Sequence, residues 1–137
     1  MEFCTRKTNQ LRRGRTSVPG AKYFVTCCTR NRAHIFSHAA AAEETFAALN
    51  TIHSAQDADF FAATIMPNHV HLLFALGDRL RVGQIVAKFK SLARDLGRAP
   101  WRWQTDGFEH RLRLHESAED YAFYIFHERI SRKSDFH

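Results

Sequence analysis

Two strand-like segments with a two-residue break between them constrain the fold more than any other feature of the sequence. Residues 59–66 and 69–76 are rich in β-branched and aromatic side chains, and Pro67 and Asn68 separate them. So short a connection joins neighbouring antiparallel strands, because a parallel pair needs a long crossover. The sequence therefore predicts a β-hairpin at the centre of the chain.

Periodic segments flank this hairpin on both sides. In chain order they are a strand at 23–29, an Ala-rich helix at 39–54, an amphipathic helix at 81–96, a strand within 101–115 and a helix from after Ser117 to about residue 130. The first six elements run β-α-β-β-α-β, the order of the ferredoxin-like split βαβ arrangement. We therefore predict an α+β fold with a four-stranded antiparallel sheet. Two helices cover one face, and the C-terminal helix lies over or beside the other.

Each of the two central helices carries an apolar stripe at helical spacing. In the first helix the predicted stripe is Ala42, Phe46, Leu49 and His53, with Thr45 and Ile52 on the same side. In the second it is Val82, Ile85, Val86, Phe89, Ala93 and Leu96. At the start of the last helix, Ser117 and Asp120 resemble a capping box.

The composition indicates one globular domain with polyanionic partners. The 137 residues are 45% hydrophobic, and 20 Lys and Arg against 14 Asp and Glu give a net charge of +6. We divide the chain into a basic arm at 1–22, one domain at 23–131 and a tail at 132–137. Nucleic acid is the first partner expected and an acidic membrane surface the second. No segment is apolar enough for a membrane span or a signal peptide, and Cys4, Cys27 and Cys28 form no framework, so a reducing cytoplasm is expected.

The residues best suited to chemistry begin with two histidines on the second hairpin strand. Because side chains alternate along a strand, His69 and His71 share one face, and Val70 and Leu72 pack on the helices. Two parallel imidazoles are part of a ligand set for a divalent ion. A bare pair at this spacing is more often two half-exposed histidines, but a pair on the uncovered face of such a sheet is more specific.

A tyrosine and a glutamate follow on the last helix. Tyr124 and Glu128 lie one turn apart on the same helix face, so a phenol nucleophile and a carboxylate ligand would be neighbours. Tyr121 is a rival nucleophile. Further candidate ligands are His127 on the same helix and Glu109, His110 and His115 from the fourth strand.

Positive charge is concentrated in two places. Seven basic residues and one acid lie between Arg79 and Arg102, and two tryptophans adjoin them. Cations beside aromatic rings suit single-stranded nucleic acid, although a solvated helix face and core tryptophans give the same pattern. The candidate nucleic-acid-binding residues are Arg12, Arg13, Arg15, Lys88, Lys90, Arg94, Arg98, Trp101 and Trp103.

The segment 66–73 closely resembles the His-hydrophobic-His motif of the single-tyrosine HUH transposases, and above all their REP-associated tyrosine transposase branch. The resemblance continues in order through roughly residues 21–130. It includes Tyr23 to Thr26, Lys90 with Ser91, Trp103 before Gly107 and Phe108, and the pair Tyr124 and Ile125.

Membership of this family would imply metal-dependent cleavage and rejoining of single-stranded or hairpin DNA. Tyr124 matches the nucleophile, which becomes joined to the 5′ phosphate, and His69 and His71 match the ligands of Mg²⁺ or Mn²⁺. Glu128 occupies the position of the further metal-side residue. The resemblance implies a bacterial-type, nucleoid-associated protein of the cytoplasm, and relatives act as monomers or as homodimers.

The sequence departs from the family pattern near its end. Glu128 and Arg129 replace the usual Asn-Pro, and His110 stands where Asp is common. Three alternatives therefore stay open: a non-catalytic nucleic-acid-binding ferredoxin-like module, a domesticated transposase relative, and a phosphodiesterase that uses water. A covalent protein–DNA adduct would distinguish the transferase from the phosphodiesterase.

Overall fold

The computed structural model describes residues 17–94, 100–105, 107–113, 115–123 and 125. Its strands are β1 (Lys22–Cys28), β2 (Ala58–Met66), β3 (His69–Leu76) and β4 (Phe108–Arg111), and its helices are α1 (Ala39–Ser54), α2 (Val82–Ala93) and a last helix, α3, which includes residues 118–123. Short 3₁₀ turns at Arg30–Arg32 and Ile35–Ser37 connect β1 to α1. The basic arm falls almost wholly outside the described residues.

The four strands form one antiparallel sheet in the order β2-β3-β1-β4. This is the ferredoxin-like arrangement that the sequence predicts, and the hairpin of β2 and β3 turns at Pro67 and Asn68. β1 and β3, the two central strands, pair over their full length, from Lys22 opposite Ala75 to Cys28 opposite His69. The histidine motif therefore begins on a central strand.

Helices α1 and α2 cover one face of the sheet and bury the main core. The strands contribute alternate apolar residues, and Ile52, Ile85 and Phe89 of the helices are fully buried against them. The predicted stripe of α2 is confirmed through Ala93, and Leu96 lies outside the described residues. The stripe of α1 is wrong in part: Thr45, Ala48, Leu49 and Ile52 are buried, whereas Phe46 is 50% exposed and His53 is exposed as well.

Helix α3 packs over the other face of the sheet. A smaller apolar cluster joins Phe24 and Leu73 of the sheet to Ile125, with Ala118 and Tyr121 at its margin. The Ser117 hydroxyl accepts hydrogen bonds from the backbone N–H groups of Glu119 and Asp120, which confirms the predicted N-cap. The face that two helices leave open is therefore covered in part by the third.

Two further findings concern the cysteines and membrane insertion. Cys27 lies in the main core, and Cys28 is disulfide-bonded, which departs from the expectation of reduced cysteines. Among the described helices, none has both the length and the apolar character that a bilayer span requires.

Candidate functional site: a histidine pair beneath the last helix

His69 and His71 lie on the face of the sheet that α3 covers. Their ring centroids are 4.8 Å apart, and alternation along β3 sends Val70 and Leu72 into the core beneath α1 and α2. The shared face predicted for the two histidines is therefore confirmed. His69 is half-buried, whereas His71 is fully buried beside Thr26 and Thr64 of the neighbouring strands.

Each imidazole is held through its Nδ1 atom. The His69 Nδ1 lies 2.7 Å from Oδ1 of Asn68, and the His71 Nδ1 lies 2.8 Å from Oγ1 of Thr26. A carboxamide oxygen only accepts hydrogen bonds, so the Nδ1 of His69 is the donor and its Nε2 carries the lone pair in the neutral ring. Metal-binding histidines are oriented by such a contact at the second ring nitrogen.

A third ligand is absent from the part of the chain that the structure describes, where no three His, Cys, Asp or Glu side chains form a metal-binding group. Glu109 pairs with Val25 and so faces the α1 and α2 side of the sheet. His110 shares the histidine face but contacts Glu116, and His115 is exposed. Glu128 and His127 lie outside the described residues.

Phe24 connects the histidines to α3. Its ring lies 5.5 Å from that of His71 in a stacked arrangement and 5.0 Å from that of Tyr121. The Tyr121 hydroxyl donates a hydrogen bond of 2.8 Å to Glu116. Burial, reinforced by the neighbouring Glu116 carboxylate, raises the pKa of Tyr121 to about 12. Tyr121 is therefore a packing residue whose phenol is hard to ionise.

The Glu116 carboxylate binds groups of β4, of the turn that follows it and of α3. It accepts a 2.7 Å hydrogen bond from the Arg113 backbone N–H, and it contacts the His110 ring at 2.9 Å in addition to Tyr121. The Arg113 N–H contributes most to lowering the pKa of Glu116 to about 2, and the Tyr121 and His110 contacts add to it. Glu116 thus anchors the start of α3 as a carboxylate.

Tyr124, the predicted nucleophile, lies outside the described residues. The residues around it show where this part of α3 packs: residues 118–123 are helical, and Ile125 is 2% exposed against Phe24 and Leu73. Ala122 packs against the same cluster.

The cations predicted for α2 make contacts within the protein. Lys88 Nζ lies 2.9 Å from Oδ2 of Asp57, a fully buried carboxylate that Arg79 also contacts. The Lys88 hydrogen bond is the main cause of the lowered pKa of Asp57. Lys90 donates to the carbonyl of Gln104, and Arg94 to that of Trp101. Arg12, Arg13, Arg15 and Arg98 lie outside the described residues.

The two tryptophans pack on the main core. Trp103 is 8% exposed, touches Phe36 and Phe89, and donates its indole N–H to the carbonyl of Lys90. Trp101 packs against the same core, with the Arg94 guanidinium 5.8 Å from its ring centroid. Trp103 therefore packs within the main core, and its assignment to base stacking stays a prediction.

Three residues of the site were not predicted as site residues from the sequence: Thr26, Asn68 and Glu116. Thr26 is opposite His71 in the β1–β3 register, so strand alternation combined with that register would have found it. Asn68 directly precedes His69. Glu116 had no comparable signal, because its partners come from β4, the following turn and α3.

Comparison with known proteins agrees with this architecture. A REP-associated tyrosine transposase bound to a REP hairpin has a similar fold, with a TM-score of 0.72 and 18% identity over 86% of this chain and 72% of that one. A putative transposase from Deinococcus radiodurans R1 gives a TM-score of 0.57 and 18% identity over 86% of this chain and 97% of that one. No curated protein matches the sequence.

The family comparison is more decisive than the structural likenesses. Residues 17–98, more than half of the chain, match the family described as "Transposase IS200 like". This range includes β1, the histidine strand and α2. The chain therefore belongs to the IS200-like transposase family.

Proposed function

We propose that this transposase cuts and rejoins single-stranded DNA, with Tyr124 as the nucleophile. The observation that carries the proposal is the placement of the histidine pair beneath α3, the helix that leads into residue 124. In this arrangement a phosphate held at the histidines would lie near α3, whose described residues adjoin position 124 on both sides.

His69 and His71 are proposed to hold one divalent ion, with Glu128 completing the ligand set. The donor chemistry fits, because the Asn68 contact leaves the lone pair of His69 on Nε2, and Thr26 fixes the ring of His71. Magnesium prefers oxygen ligands, so a site with two imidazoles makes Mn²⁺ the more informative probe. The ion, when bound, polarises a phosphoryl oxygen and orients the scissile bond.

The protein itself supplies the attacking group. The Tyr124 oxygen loses its proton and forms a bond to phosphorus, while the bond from phosphorus to the 3′ oxygen breaks and that oxygen takes up a proton. The products are a 5′-phosphotyrosine and a free 3′-OH. Attack by this hydroxyl on the phosphotyrosine reverses the step and rejoins DNA without an external energy source.

Tyr121, which lies on α3, is the less suitable of the two candidate tyrosines. Its hydroxyl donates to Glu116, and its pKa of about 12 lies two units above the usual value of 10. Ionisation of Tyr121 would also place two negative charges side by side. Tyr124 therefore remains our candidate, as the sequence analysis proposed.

Hairpin DNA is the partner we propose. The structural neighbour with a TM-score of 0.72 was solved with a REP hairpin, and a similar fold here suits a similar partner. A non-catalytic module that binds nucleic acid across an open sheet is less well supported, because α3 packs over the face that such a module would use.

Trapping a covalent adduct tests the chemistry. The protein is incubated with labelled single-stranded hairpin DNA and Mn²⁺, and the products are separated on a denaturing gel. We expect an adduct with the native protein and with Tyr121→Phe, and none with Tyr124→Phe, since that change removes only the hydroxyl.

The other outcomes would contradict the proposal in different ways. An adduct that survives Tyr124→Phe but not Tyr121→Phe would identify Tyr121 as the nucleophile. Cleavage that persists in both variants without an adduct would identify water as the nucleophile. Melting curves of both variants serve as the control for folding.

A further inference from the structure

Two exposed arginines lie on neighbouring backbone segments at the end of the sheet where the histidine strand begins. Beyond β1, Thr29 forms an isolated antiparallel bridge with Trp103, and the Arg30 N–H donates to the Arg102 carbonyl at 2.9 Å. This register sets Arg30 opposite Arg102. Both side chains are exposed, and neither guanidinium has a carboxylate partner among the described residues.

Arg30 begins a 3₁₀ turn, and its backbone hydrogen bond to Arg102 brings two cationic residues together, so an anion bound by both would offset their repulsion. A guanidinium presents parallel N–H donors that match the oxygens of a phosphate. The juxtaposition therefore suits a phosphate group.

The backbone around Arg30 is held in an unusual conformation. Asn31 and Arg32, the next two residues, have φ angles of 57° and 54°, in the left-handed region that favours glycine. Thr29, which is fully buried, keeps this turn in place: its hydroxyl lies 2.7 Å from the carbonyl of Ala33 and 3.1 Å from that of Asn68. Strain of this kind persists where the surroundings enforce it, and it is often found at binding sites.

The same contacts connect the arginines to the histidines. The Thr29 N–H also donates to the Asn68 carbonyl at 3.0 Å, and the side chain of Asn68 accepts from the Nδ1 of His69. One residue, Asn68, thus fixes both the loop that carries Arg30 and the first histidine. A phosphate bound by the arginines would be held in a defined position relative to His69.

We propose that Arg30 and Arg102 bind the sugar–phosphate backbone of single-stranded DNA next to the histidine pair. This proposal rests on the proposed function and deepens it by assigning a contact for the strand that is cut. It also adds a DNA contact outside α2, where Lys88 is paired with the buried carboxylate of Asp57.

The salt dependence of DNA binding tests the assignment. Binding of a fluorescein-labelled oligodeoxythymidylate of about 20 nucleotides is followed by fluorescence anisotropy at several NaCl concentrations in EDTA, so that neither cleavage nor a metal ion contributes. The variant R30A/R102A is compared with R81A/R111A, which also removes two exposed arginines. Arg111 pairs with Tyr23 near the start of β1, and Arg81 precedes α2, so both lie away from the histidines.

We expect R30A/R102A to bind more weakly and its salt slope to fall by about 1.4, since each phosphate contact on a single strand contributes about 0.7. R81A/R111A should keep the native slope. The charge-preserving variant R30K/R102K should recover most of the slope, and its recovery would show that any loss comes from charge rather than from misfolding.

Equal losses in the two double variants, or an unchanged slope in R30A/R102A, would overturn the assignment. This result is independent of the proposed chemistry. If the native protein forms no covalent adduct but the slope falls only in R30A/R102A, the tyrosine mechanism fails and the phosphate site stands. If the adduct forms and R30A/R102A binds DNA as R81A/R111A does, the tyrosine mechanism stands and the phosphate site fails.

Discussion

The two faces of strand β3 are built differently, although alternate residues of one strand supply both. Val70, Leu72 and Phe74 point into a large apolar core that α1 and α2 complete. On the other face, the two histidines lie beside a small cluster formed by Phe24, Leu73 and α3. Apolar burial organises the first face, whereas the second face combines apolar contacts with directional hydrogen bonds.

This difference separates the groups proposed for chemistry from the main source of stability. On the face beneath α1 and α2, apolar burial is non-directional and tolerates approximate placement. On the histidine face, Thr26, Asn68 and Glu116 each fix a particular ring or helix end. Replacing a residue on the first face should therefore affect folding most, and replacing one on the second should affect the reaction.

The largest effect is expected from a pair of substitutions on β3, one on each face. Leu72→Ala removes a fully buried side chain and should lower the free energy of unfolding by about 2–5 kcal/mol. His69→Ala, at a half-buried position, should lower it by about 1 kcal/mol or less but abolish the covalent adduct. Urea unfolding and the adduct gel measure the two effects, and a His69→Ala protein as unstable as Leu72→Ala would end the distinction between the faces.

The next largest effect concerns the charge buried on the α1 and α2 side. Lys88→Met takes one of two cationic partners from Asp57, whose side chain is fully buried, and should cost about 1–3 kcal/mol. Lys90→Met, on the same helix, loses only a 3.3 Å contact to a carbonyl and should cost less. Because Lys88 is already paired, its replacement should leave the salt slope of DNA binding unchanged. A lower slope with native stability would restore Lys88 as a DNA contact.

Local patterns in the sequence were sufficient for most of the fold. The bounds predicted for the first helix and for the histidine strand coincide with Ala39–Ser54 and His69–Leu76. The hairpin and the order of elements then left few arrangements of the sheet. The shared face of the histidines followed from strand alternation alone, which depends on no long-range contact.

Periodicity left the outcome open where a pattern has two physical explanations. A basic helix face looks the same whether its cations meet solvent or a buried acid such as Asp57, because the partner lies 31 residues away from Lys88 along the chain. Trp103 was ambiguous for the same reason. Phe46 fits the helical spacing but lies at the edge of the α1 stripe, where it remains 50% exposed. Long-range partners decide such cases, and periodicity does not reveal them.

The smallest effect is expected at Glu116, where the histidine face is fastened to α3. The pKa of this carboxyl is about 2 in the folded protein against its usual 4.5, so its contribution to stability is fully present above about pH 4.5 and is lost as the pH falls toward 2. Glu116→Gln keeps the shape but removes the charge, and it should cost about 1–2 kcal/mol at neutral pH. Thermal unfolding between pH 7 and about pH 2 should show the gap between native and variant proteins closing as the acid form accumulates. Glu119→Gln, exposed on the same helix, is the matched control. A gap that stays constant across this range would mean that Glu116 supports α3 through its shape rather than its charge.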